Sequence, residues 1–372
     1  MYKRQNLAQA YQSTNQFKKS LEIIKKGLQK FPSQTKIDKL LSSQINYLDD
    51  DFHLKSMLKK LDKNILNDDQ KINLFFSIGK AYEDKKDYLE SYKFYQNGND
   101  LKRSMLKFNI NDKKKLFIDI KKYFEGTIPK NNDIKKINEK VIFIFGLPRS
   151  GTTLVENIIS SHNKVSPLGE INYLSKFFNI NFVNDNQLTT GFINGFLNQD
   201  LQKHYFDFIK FFNIKNDLVT DKSLNIYWFL GFIKIFFPKA IFVHCHRDPK
   251  DNCLSIFKNL FEDGQGWKYN ETELIEYYKL YSEIMMFWNT KFSDGIFNIK
   301  YEELVSNSEK VIKDLIKHCD LGWDERCLNH HKNNAPIKTL SLNQANKPIY
   351  SSSVKSSNNY KDYLKKIFSS FS

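Results

Sequence analysis

A loop between a predicted strand and a predicted helix carries the residues best suited to bind an anion. The apolar run Val141–Phe145 predicts a buried parallel strand, and the spacing of apolar residues in Leu154–Ile159 predicts a helix. Backbone N–H groups and the helix dipole favour a phosphate or sulfate at such a junction. Thr152 stands where the P-loop of nucleoside-triphosphate-binding proteins has lysine, and the cation is instead Arg149 inside the loop. We therefore expect one strongly held phosphate or sulfate group rather than ATP hydrolysis.

A second pair of residues suited to an anion follows another predicted strand, Ile241–His246. Arg247 stands at the end of that strand, and Ser255 lies in a helix predicted at Asn252–Phe257. The two side chains can converge on one phosphate, because the guanidinium fork binds phosphate oxygens bidentately. The alternative is that Arg247 forms a surface ion pair with Asp248 and that Ser255 faces solvent.

Two further residues of suitable chemistry follow short predicted strands. Lys222 comes after Leu218–Thr220, and Tyr301 comes after Ile296–Lys300. If these strands are parallel, both residues lie at the sheet edge that carries Arg149. The alternatives are that Lys222 forms an exposed pair with the preceding aspartate, and that the tyrosine only fills the core.

The sequence Pro148–Thr153, PRSGTT, resembles the loop that binds the 5′-phosphosulfate of 3′-phosphoadenosine 5′-phosphosulfate (PAPS) in sulfotransferases. The likeness is to bacterial sulfotransferases that carry tetratricopeptide repeats and to tyrosylprotein sulfotransferases, since cytosolic small-molecule sulfotransferases place lysine at the position of Arg149. Together with the motif around Arg247, the resemblance covers roughly residues 141–360. It implies an α/β fold with a P-loop-like parallel sheet sandwiched by helices, and sulfuryl transfer from PAPS without a metal ion.

The resemblance also implies a role for each candidate residue. Glu170, which follows Arg149 by 21 positions, corresponds to the general base for the acceptor, although the family's Gly-Glu-Glu run is reduced here to Gly169-Glu170. On its own, a glutamate in a loop is usually solvated surface. Lys222 corresponds to the cation beside the sulfate and the leaving-group oxygen. The donor contacts that the resemblance implies are Arg149, Ser150, Gly151, Thr152 and Thr153 in the loop, Arg247 and Ser255 at the 3′-phosphate, Tyr301, and candidates among Ser341, Gln344, Lys347, Ser353 and Lys355 in the C-terminal segment.

The N-terminal third of the chain has a different pattern, with predicted helices and no strands. Tyr11, Tyr47 and Tyr82 recur at intervals of 36 and 35 residues, close to the 34-residue period of tetratricopeptide repeats. Such repeats offer a concave face to a protein partner, whereas the alternative, a generic amphipathic helical domain, does not. We expect an all-α tetratricopeptide-like repeat domain at 1–125, a polar linker at 126–140 and the PAPS-dependent sulfotransferase domain at 141–372.

Composition limits the remaining possibilities. The chain has 372 residues, of which 41% are hydrophobic, so it can bury a large core and is not globally disordered. Its net charge of +15 favours anionic partners, but no nucleic-acid-binding motif is present. The four cysteines lack the spacing of a zinc site, and we expect free thiols in a reducing compartment. With neither an apolar leader nor an apolar stretch long enough to span a bilayer, we expect a cytoplasmic protein. We expect no metal ion, because the chain has no Walker lysine and no obvious acidic Mg²⁺ ligand at a strand end.

The sequence therefore predicts a PAPS-dependent sulfotransferase that acts on an acceptor hydroxyl by in-line transfer. The acceptor stays open between peptide tyrosine, carbohydrate, lipid and small metabolite. One alternative is a P-loop nucleotide or metabolite kinase, which would need ATP, Mg²⁺ and a lysine in place of Thr152. The other is a catalytically inactive repeat scaffold that binds a partner protein.

Overall fold

Two compact units make up the computed structural model. It describes residues 2–14, 16–48, 51–63, 65–126, 140–189, 201–212, 214, 216, 218–262, 264–333 and 348–371. The helical unit contains Met1–Phe108, Pro249–Tyr278 and Ser352–Ser372, and the sheet unit contains Asn109–Asp248 and Lys279–Ser351. These units are defined by contacts within the chain, so the predicted domains (1–125, 126–140 and 141–372) stay a prediction.

The helices and strands follow the chain in this order. The described α-helices are Tyr2–Ser13, Phe17–Lys30, Thr35–Ser42, Phe52–Leu61, Asp68–Asp84, Tyr88–Ser104, Ile110–Phe124, Thr152–Ser160, Tyr173–Phe182, Leu201–Ile209, Leu230–Phe236, Pro249–Phe257, Glu271–Phe292, Tyr301–Ser306, Ser308–His318 and Lys365–Ser370. The described strands are β1 (Lys140–Phe145), β2 (Val165–Pro167), β3 (Val183–Asn184), β4 (Gln187–Leu188), β5 (Leu218–Asp221), β6 (Ile241–His246) and β7 (Ile296–Lys300). Short 3₁₀ helices lie at Lys210–Phe212, Leu224–Phe229, Gly266–Tyr269, Ser293–Gly295, Glu325–Cys327, His330–Lys332 and Ser356–Tyr360.

One five-stranded sheet organises the sheet unit, with the strand order β2-β5-β1-β6-β7. Every neighbouring pair is parallel, so the carboxyl ends of all five strands lie at the same edge. The register places Phe143 opposite Asp221 and His246 opposite Lys300. Strands β3 and β4 form a separate antiparallel pair. The predicted parallel α/β sheet is confirmed.

Apolar runs made four of these strands visible in the sequence, and the run is interrupted by the exposed Asn298 in the edge strand β7. A strand covered on both faces is apolar throughout rather than at alternate positions. The predicted strands Ile241–His246 and Ile296–Lys300 are confirmed, Val141–Phe145 begins one residue earlier, and Leu218–Thr220 continues to Asp221. The patterns therefore located each strand to within one residue.

Two elements differ from the sequence prediction. The helix predicted from Asn252 begins at Pro249, because proline already has a helical φ and its missing N–H costs nothing in the first turn. Strand β2 was not predicted, since a three-residue segment is too short to show a period.

The helix that follows β1 packs its apolar side against the sheet. Its buried side chains Val155, Ile158 and Ile159 join one core cluster with residues of β1, β6 and the helix Ser308–His318. Burial of each large aliphatic side chain stabilises the fold by about 1.5–3 kcal/mol. This packing fixes the start of the helix, and with it the loop Gly146–Gly151, against the carboxyl edge of the sheet.

The helical unit contains a repeated contact between paired helices. The Ser20 hydroxyl donates to the carbonyl of Ala8 at 2.9 Å, and the Ser91 hydroxyl donates to the carbonyl of Gly79 at 2.8 Å. Both residues of the second pair lie 71 positions after those of the first, which is about two repeat lengths. A Cβ at Gly79 would lie 2.8 Å from the ring of Tyr95, so only glycine permits this approach of the helices. The repetition supports the repeat interpretation, whose tetratricopeptide character stays a prediction.

Candidate active site

Five of the predicted site residues follow the carboxyl ends of the five parallel strands. Because the strands are parallel, these ends share one edge of the sheet. Side-chain contacts divide these residues into two groups. One contains Arg149, Arg247 and Tyr301, and the other contains Glu170 and Lys222. The residues are Arg149 after β1, Glu170 after β2, Lys222 after β5, Arg247 after β6 and Tyr301 after β7.

The loop after β1 contains three residues with a positive φ, a backbone conformation that few residues other than glycine adopt. Gly146 has a φ of +150°, Arg149 a φ of +70° and Gly151 a φ of +101°. A Cβ at Gly151 would also lie 2.8 Å from Cδ2 of Tyr301. The hydroxyl oxygen of Ser150 is buried without a hydrogen-bond partner among the described residues. This loop therefore places an unused polar atom beside the start of the helix Thr152–Ser160, where an anion is favoured.

Arg247 is buried, Arg149 is half-buried, and the two residues lie close to one another. A guanidinium nitrogen of Arg247, Nη1, lies 3.5 Å from the carbonyl oxygen of Arg149. Burial, together with the nearby charge of Arg247, lowers the pKa of Arg149 to about 10. The Arg247 guanidinium also lies over the ring of Tyr301, 4.9 Å from its centroid. Arg247 is buried rather than at the surface, and two guanidinium groups held close together favour an anionic ligand.

Tyr350 belongs to the same group, although the sequence analysis did not select it. Burial raises the pKa of the Tyr350 hydroxyl, and the nearby charges of Arg149 and Arg247 act in the opposite direction. Its neighbour Ile349 packs against the core of the sheet unit. No signal in the sequence distinguished Tyr350 from the other residues of its Ser-, Asn- and Lys-rich segment.

Glu170 and Lys222 form the second group. Nζ of Lys222 lies 2.5 Å from Oε1 of Glu170. The side chain of Lys222 is fully buried and that of Glu170 is 33% exposed, so the carboxylate is open to solvent while the cation is not. The backbone N–H of Lys222 donates to the carbonyl of Gly169 at 3.0 Å, which holds the turn before Glu170 against the end of β5. An exposed pair of Lys222 with Asp221 is excluded, because both side chains are buried.

Two buried carboxylates surround this ion pair. Glu156, on the helix Thr152–Ser160, accepts hydrogen bonds from the Gly169 N–H at 3.0 Å and from the Thr220 hydroxyl at 3.1 Å. Burial raises the pKa of Glu156, and the charge of Lys222 counteracts this rise. Burial also raises the pKa of Asp221 to about 7, against the hydrogen bonds that Ser223 and Tyr205 donate to it. The only sequence signal for Glu156 was a charged residue within an apolar helix.

The remaining predicted donor contacts belong to the helical unit or lie outside the described residues. Ser255 lies in the helix Pro249–Phe257, one turn after Asp251. The carboxylate of Asp251 accepts hydrogen bonds from the backbone N–H groups of Lys355 at 2.6 Å and Ser357 at 2.8 Å. Within this unit, the C-terminal segment is therefore attached to the helix that carries Ser255. Ser341, Gln344 and Lys347 lie outside the described residues.

The described parts of the chain contain neither a cluster of metal ligands nor a membrane-spanning helix. There, no three His, Cys, Asp or Glu side chains are grouped so that they could hold a metal ion. Among the described helices, none combines the length and apolar character that crossing a bilayer requires. The four cysteines are buried free thiols.

Solved structures of two sulfotransferases are similar to this chain. For the sulfotransferase domain of the Synechococcus PCC 7002 olefin synthase, the TM-score is 0.44 at 17% identity, over 64% of this chain and 98% of that domain. For a sulfotransferase from Mycobacterium tuberculosis H37Rv, the TM-score is 0.37 at 14% identity, over 86% of this chain and 97% of that protein.

Two curated proteins are similar in sequence. An uncharacterized protein of Aquifex aeolicus (strain VF5) is 27% identical over 306 residues, which are 78% of this chain. This chain spans 40% of the length of that relative. A putative protein-tyrosine sulfotransferase of Caenorhabditis briggsae is 24% identical over 206 residues, which are 52% of this chain and 70% of that protein.

The match to a protein family covers the sheet strands and the site residues that follow them. Residues 141–325 match the model of the sulfotransferase family. The matched range includes the phosphate loop, Glu170, Lys222, Arg247 and Tyr301. Residues 141–325 of this chain therefore form a sulfotransferase-family domain.

Proposed function

We propose that this protein transfers the sulfuryl group of PAPS to an acceptor hydroxyl. The observation that carries the proposal is the proximity of the half-buried Arg149 and the buried Arg247, beside a glycine-bounded helix start. Two adjacent cations that are largely withdrawn from water favour an anion that compensates them. A donor with a 5′-phosphosulfate and a 3′-phosphate supplies that charge.

The residues of the sheet unit fit this donor. The loop from Arg149 to Thr153, with the unpartnered Ser150 hydroxyl and the start of the helix, would hold the 5′-phosphosulfate. Arg247 would hold the 3′-phosphate bidentately, with Tyr301 against its guanidinium. Sequence position alone assigns Ser255 to the 3′-phosphate and assigns the C-terminal candidates, including Lys355, to the rest of the donor.

Glu170 and Lys222 would carry out the transfer. Glu170 takes the proton of the acceptor hydroxyl, whose oxygen forms a bond to sulfur. The bond between sulfur and the bridging phosphate oxygen breaks, and 3′-phosphoadenosine 5′-phosphate leaves with that electron pair. Lys222 compensates the negative charge that develops on the bridging oxygen. The partly exposed carboxylate and the buried ammonium suit these two roles.

The acceptor is the open part of the proposal. Peptide tyrosine is one candidate, because the putative function of the Caenorhabditis briggsae relative is that of a protein-tyrosine sulfotransferase. A carbohydrate or a small metabolite would meet the same donor chemistry. The helices of the N-terminal segment would bind a protein partner or a peptide acceptor if their tetratricopeptide character holds.

Calorimetry with three nucleotides tests the donor site. We expect 3′-phosphoadenosine 5′-phosphate to bind without metal and more tightly than AMP, because the additional phosphate meets Arg247. A charge-assisted contact of this kind contributes about 1.5–3 kcal/mol. Equal affinity for AMP, or binding only of ATP with Mg²⁺, would reject the donor and favour the kinase alternative. Binding of the nucleotide without sulfuryl transfer to any acceptor class would favour the inactive scaffold.

A further inference from the structure

Glu156 is a buried carboxylate to which the proposed reaction gives no task. It lies on the helix Thr152–Ser160, which starts at the phosphate loop, and 7% of its surface is exposed. Burial of an ionisable side chain is costly unless hydrogen bonds and opposite charge compensate it. The burial of Glu156 beside the proposed base and cation therefore calls for a functional explanation.

The contacts of Glu156 connect three elements of the sheet unit. Its Oε1 accepts from the N–H of Gly169 in the loop after β2 and from the hydroxyl of Thr220 in β5. The carbonyl of the same Gly169 accepts from the N–H of Lys222. The peptide groups on both sides of the Gly169 α-carbon are thus held, one by Glu156 and the other by Lys222. Glu170 follows directly from this fixed turn.

Lys222 is surrounded by groups on four elements. Glu156 faces it from the helix, Glu170 from the loop after β2, Asp221 from the end of β5 and the thiol of Cys245 from β6. When Glu170 takes a proton from the acceptor, its carboxylate no longer carries the charge that compensates the ammonium. Glu156 does not take that proton in this account, and the hydrogen bonds from Gly169 and Thr220 and the charge of Lys222 favour its ionised form against the effect of burial.

We propose that Glu156 is a positioning residue, which fixes the Gly169–Glu170 turn and provides Lys222 with a counter-charge while Glu170 holds the proton. The inference rests on the proposed function, since it assigns Glu156 to the same transfer. Glu156 does not touch the donor or the acceptor in this account. It connects the helix of the phosphate loop to the base, so that the sulfate and the acceptor oxygen are held in line.

The test is Glu156→Gln, which keeps an oxygen acceptor for Gly169 and removes the charge. We expect its affinity for 3′-phosphoadenosine 5′-phosphate to stay within about twofold, and kcat with PAPS and a phenol acceptor to fall by at least about tenfold. The alkaline limb of the rate–pH profile should move to lower pH, because the site of transfer loses one negative charge. Glu309→Gln, on an exposed helix position paired with Lys313, is the matched control and should change neither quantity.

A second variant separates the charge from the hydrogen bond. Thr220→Val removes one donor to Glu156 but leaves its charge, so it should lower the thermal midpoint without moving the alkaline limb. Amide exchange of the segment 168–171 provides a readout without turnover, and it should be faster in Glu156→Gln because a charge-assisted bond is replaced by a neutral one.

The outcomes distinguish this inference from the function on which it rests. If the wild type binds the nucleotide and transfers sulfate while Glu156→Gln keeps the wild-type kcat and alkaline limb, Glu156 is only structural and the proposed function stands. If Thr220→Val moves the alkaline limb as far as Glu156→Gln does, the proposed role of Glu156 as a counter-charge to Lys222 is wrong. If the wild type neither binds the nucleotide nor transfers sulfate, the proposed function fails and this inference fails with it.

Discussion

Lys222 and Glu170, which lie 52 positions apart in the chain, form an ion pair in which Nζ is 2.5 Å from Oε1. The lysine side chain is fully buried, whereas one-third of the glutamate side chain is exposed. A carboxylate with a buried cation on one side and solvent on the other can be approached by an acceptor without losing its orientation. This relationship supports the assignment of Glu170 as base and Lys222 as the cation of the transfer.

Replacement of Glu170 by glutamine tests that assignment. Glu170→Gln keeps the shape of the side chain but cannot take a proton, so kcat with an acceptor of low acidity should fall about 10²–10⁴-fold. Affinity for 3′-phosphoadenosine 5′-phosphate, measured by calorimetry, should stay nearly unchanged. An acidic phenol such as 4-nitrophenol should restore part of the rate, because it needs the base less. Normal turnover of a weakly acidic acceptor by Glu170→Gln would mean that another group, a histidine or water, takes the proton.

The two arginines should differ in the kinetic parameter that they affect. Arg247→Ala should weaken the binding of 3′-phosphoadenosine 5′-phosphate by about tenfold or more, since its 3′-phosphate is unchanged during transfer. Arg149→Ala should lower kcat by about 10²-fold, because its target gains charge in the transition state. Arg326→Ala, which removes an exposed arginine paired with Asp324, serves as the control. An equal loss of affinity in both variants, with kcat unchanged, would show that the arginines have one role.

The loop glycine Gly151 offers a test that removes no charged group. Gly151→Ala places a Cβ 2.8 Å from Cδ2 of Tyr301 at a φ of +101°, where L residues are strained. We expect the affinity for 3′-phosphoadenosine 5′-phosphate to fall at least about tenfold, because the loop and Tyr301 must move apart. Gly322→Ala, whose Cβ meets no atom within 4 Å, is the control. Wild-type affinity in Gly151→Ala would place the donor away from this loop.

Asp221 should make folding stability depend on pH in a predictable direction. Its pKa in the folded protein is about 7, above the reference value of 3.8, so between these two pH values the folded state holds a proton that the unfolded state has lost. The stabilisation by that proton is complete below pH 4 and disappears as the pH rises through 7. The shift corresponds to at most about 4 kcal/mol.

Asp221→Asn imitates the protonated carboxyl at every pH and isolates this contribution. The free energy of unfolding of the variant minus that of the wild type should therefore increase as the pH rises from 4 to 7. Urea unfolding at pH 4, 5.5 and 7 measures this difference. A difference that does not vary with pH would mean that Asp221 ionises in the folded protein as it does in the unfolded chain.

The elements around the site were predicted to different degrees for physical reasons. Strands β1, β5 and β6 appear in the sequence because a strand buried within a sheet needs an apolar run. The edge strand β7 appears because apolar residues stand on either side of its exposed Asn298. Strand β2 was missed because three residues show no period. The helix Pro249–Phe257 begins three residues before the predicted start at Asn252, because proline is well suited to the first turn of a helix. The repeat character of the N-terminal helices and the C-terminal donor contacts stay predictions.

The sequence by itself determined the glycine-bounded loop after β1 and the strand ends, because glycines, an arginine and apolar runs act within a few residues of one another. Only the tertiary structure decided the partners of the buried polar groups. The neighbours in sequence Asp221 and Lys222 have different partners: Asp221 accepts from Tyr205 and Ser223, whereas Lys222 pairs with Glu170. Glu156 bonds to groups 13 and 64 positions away. A buried charge takes whichever partner the packing of strands and helices brings within hydrogen-bond distance, and no local pattern in the sequence encodes that choice.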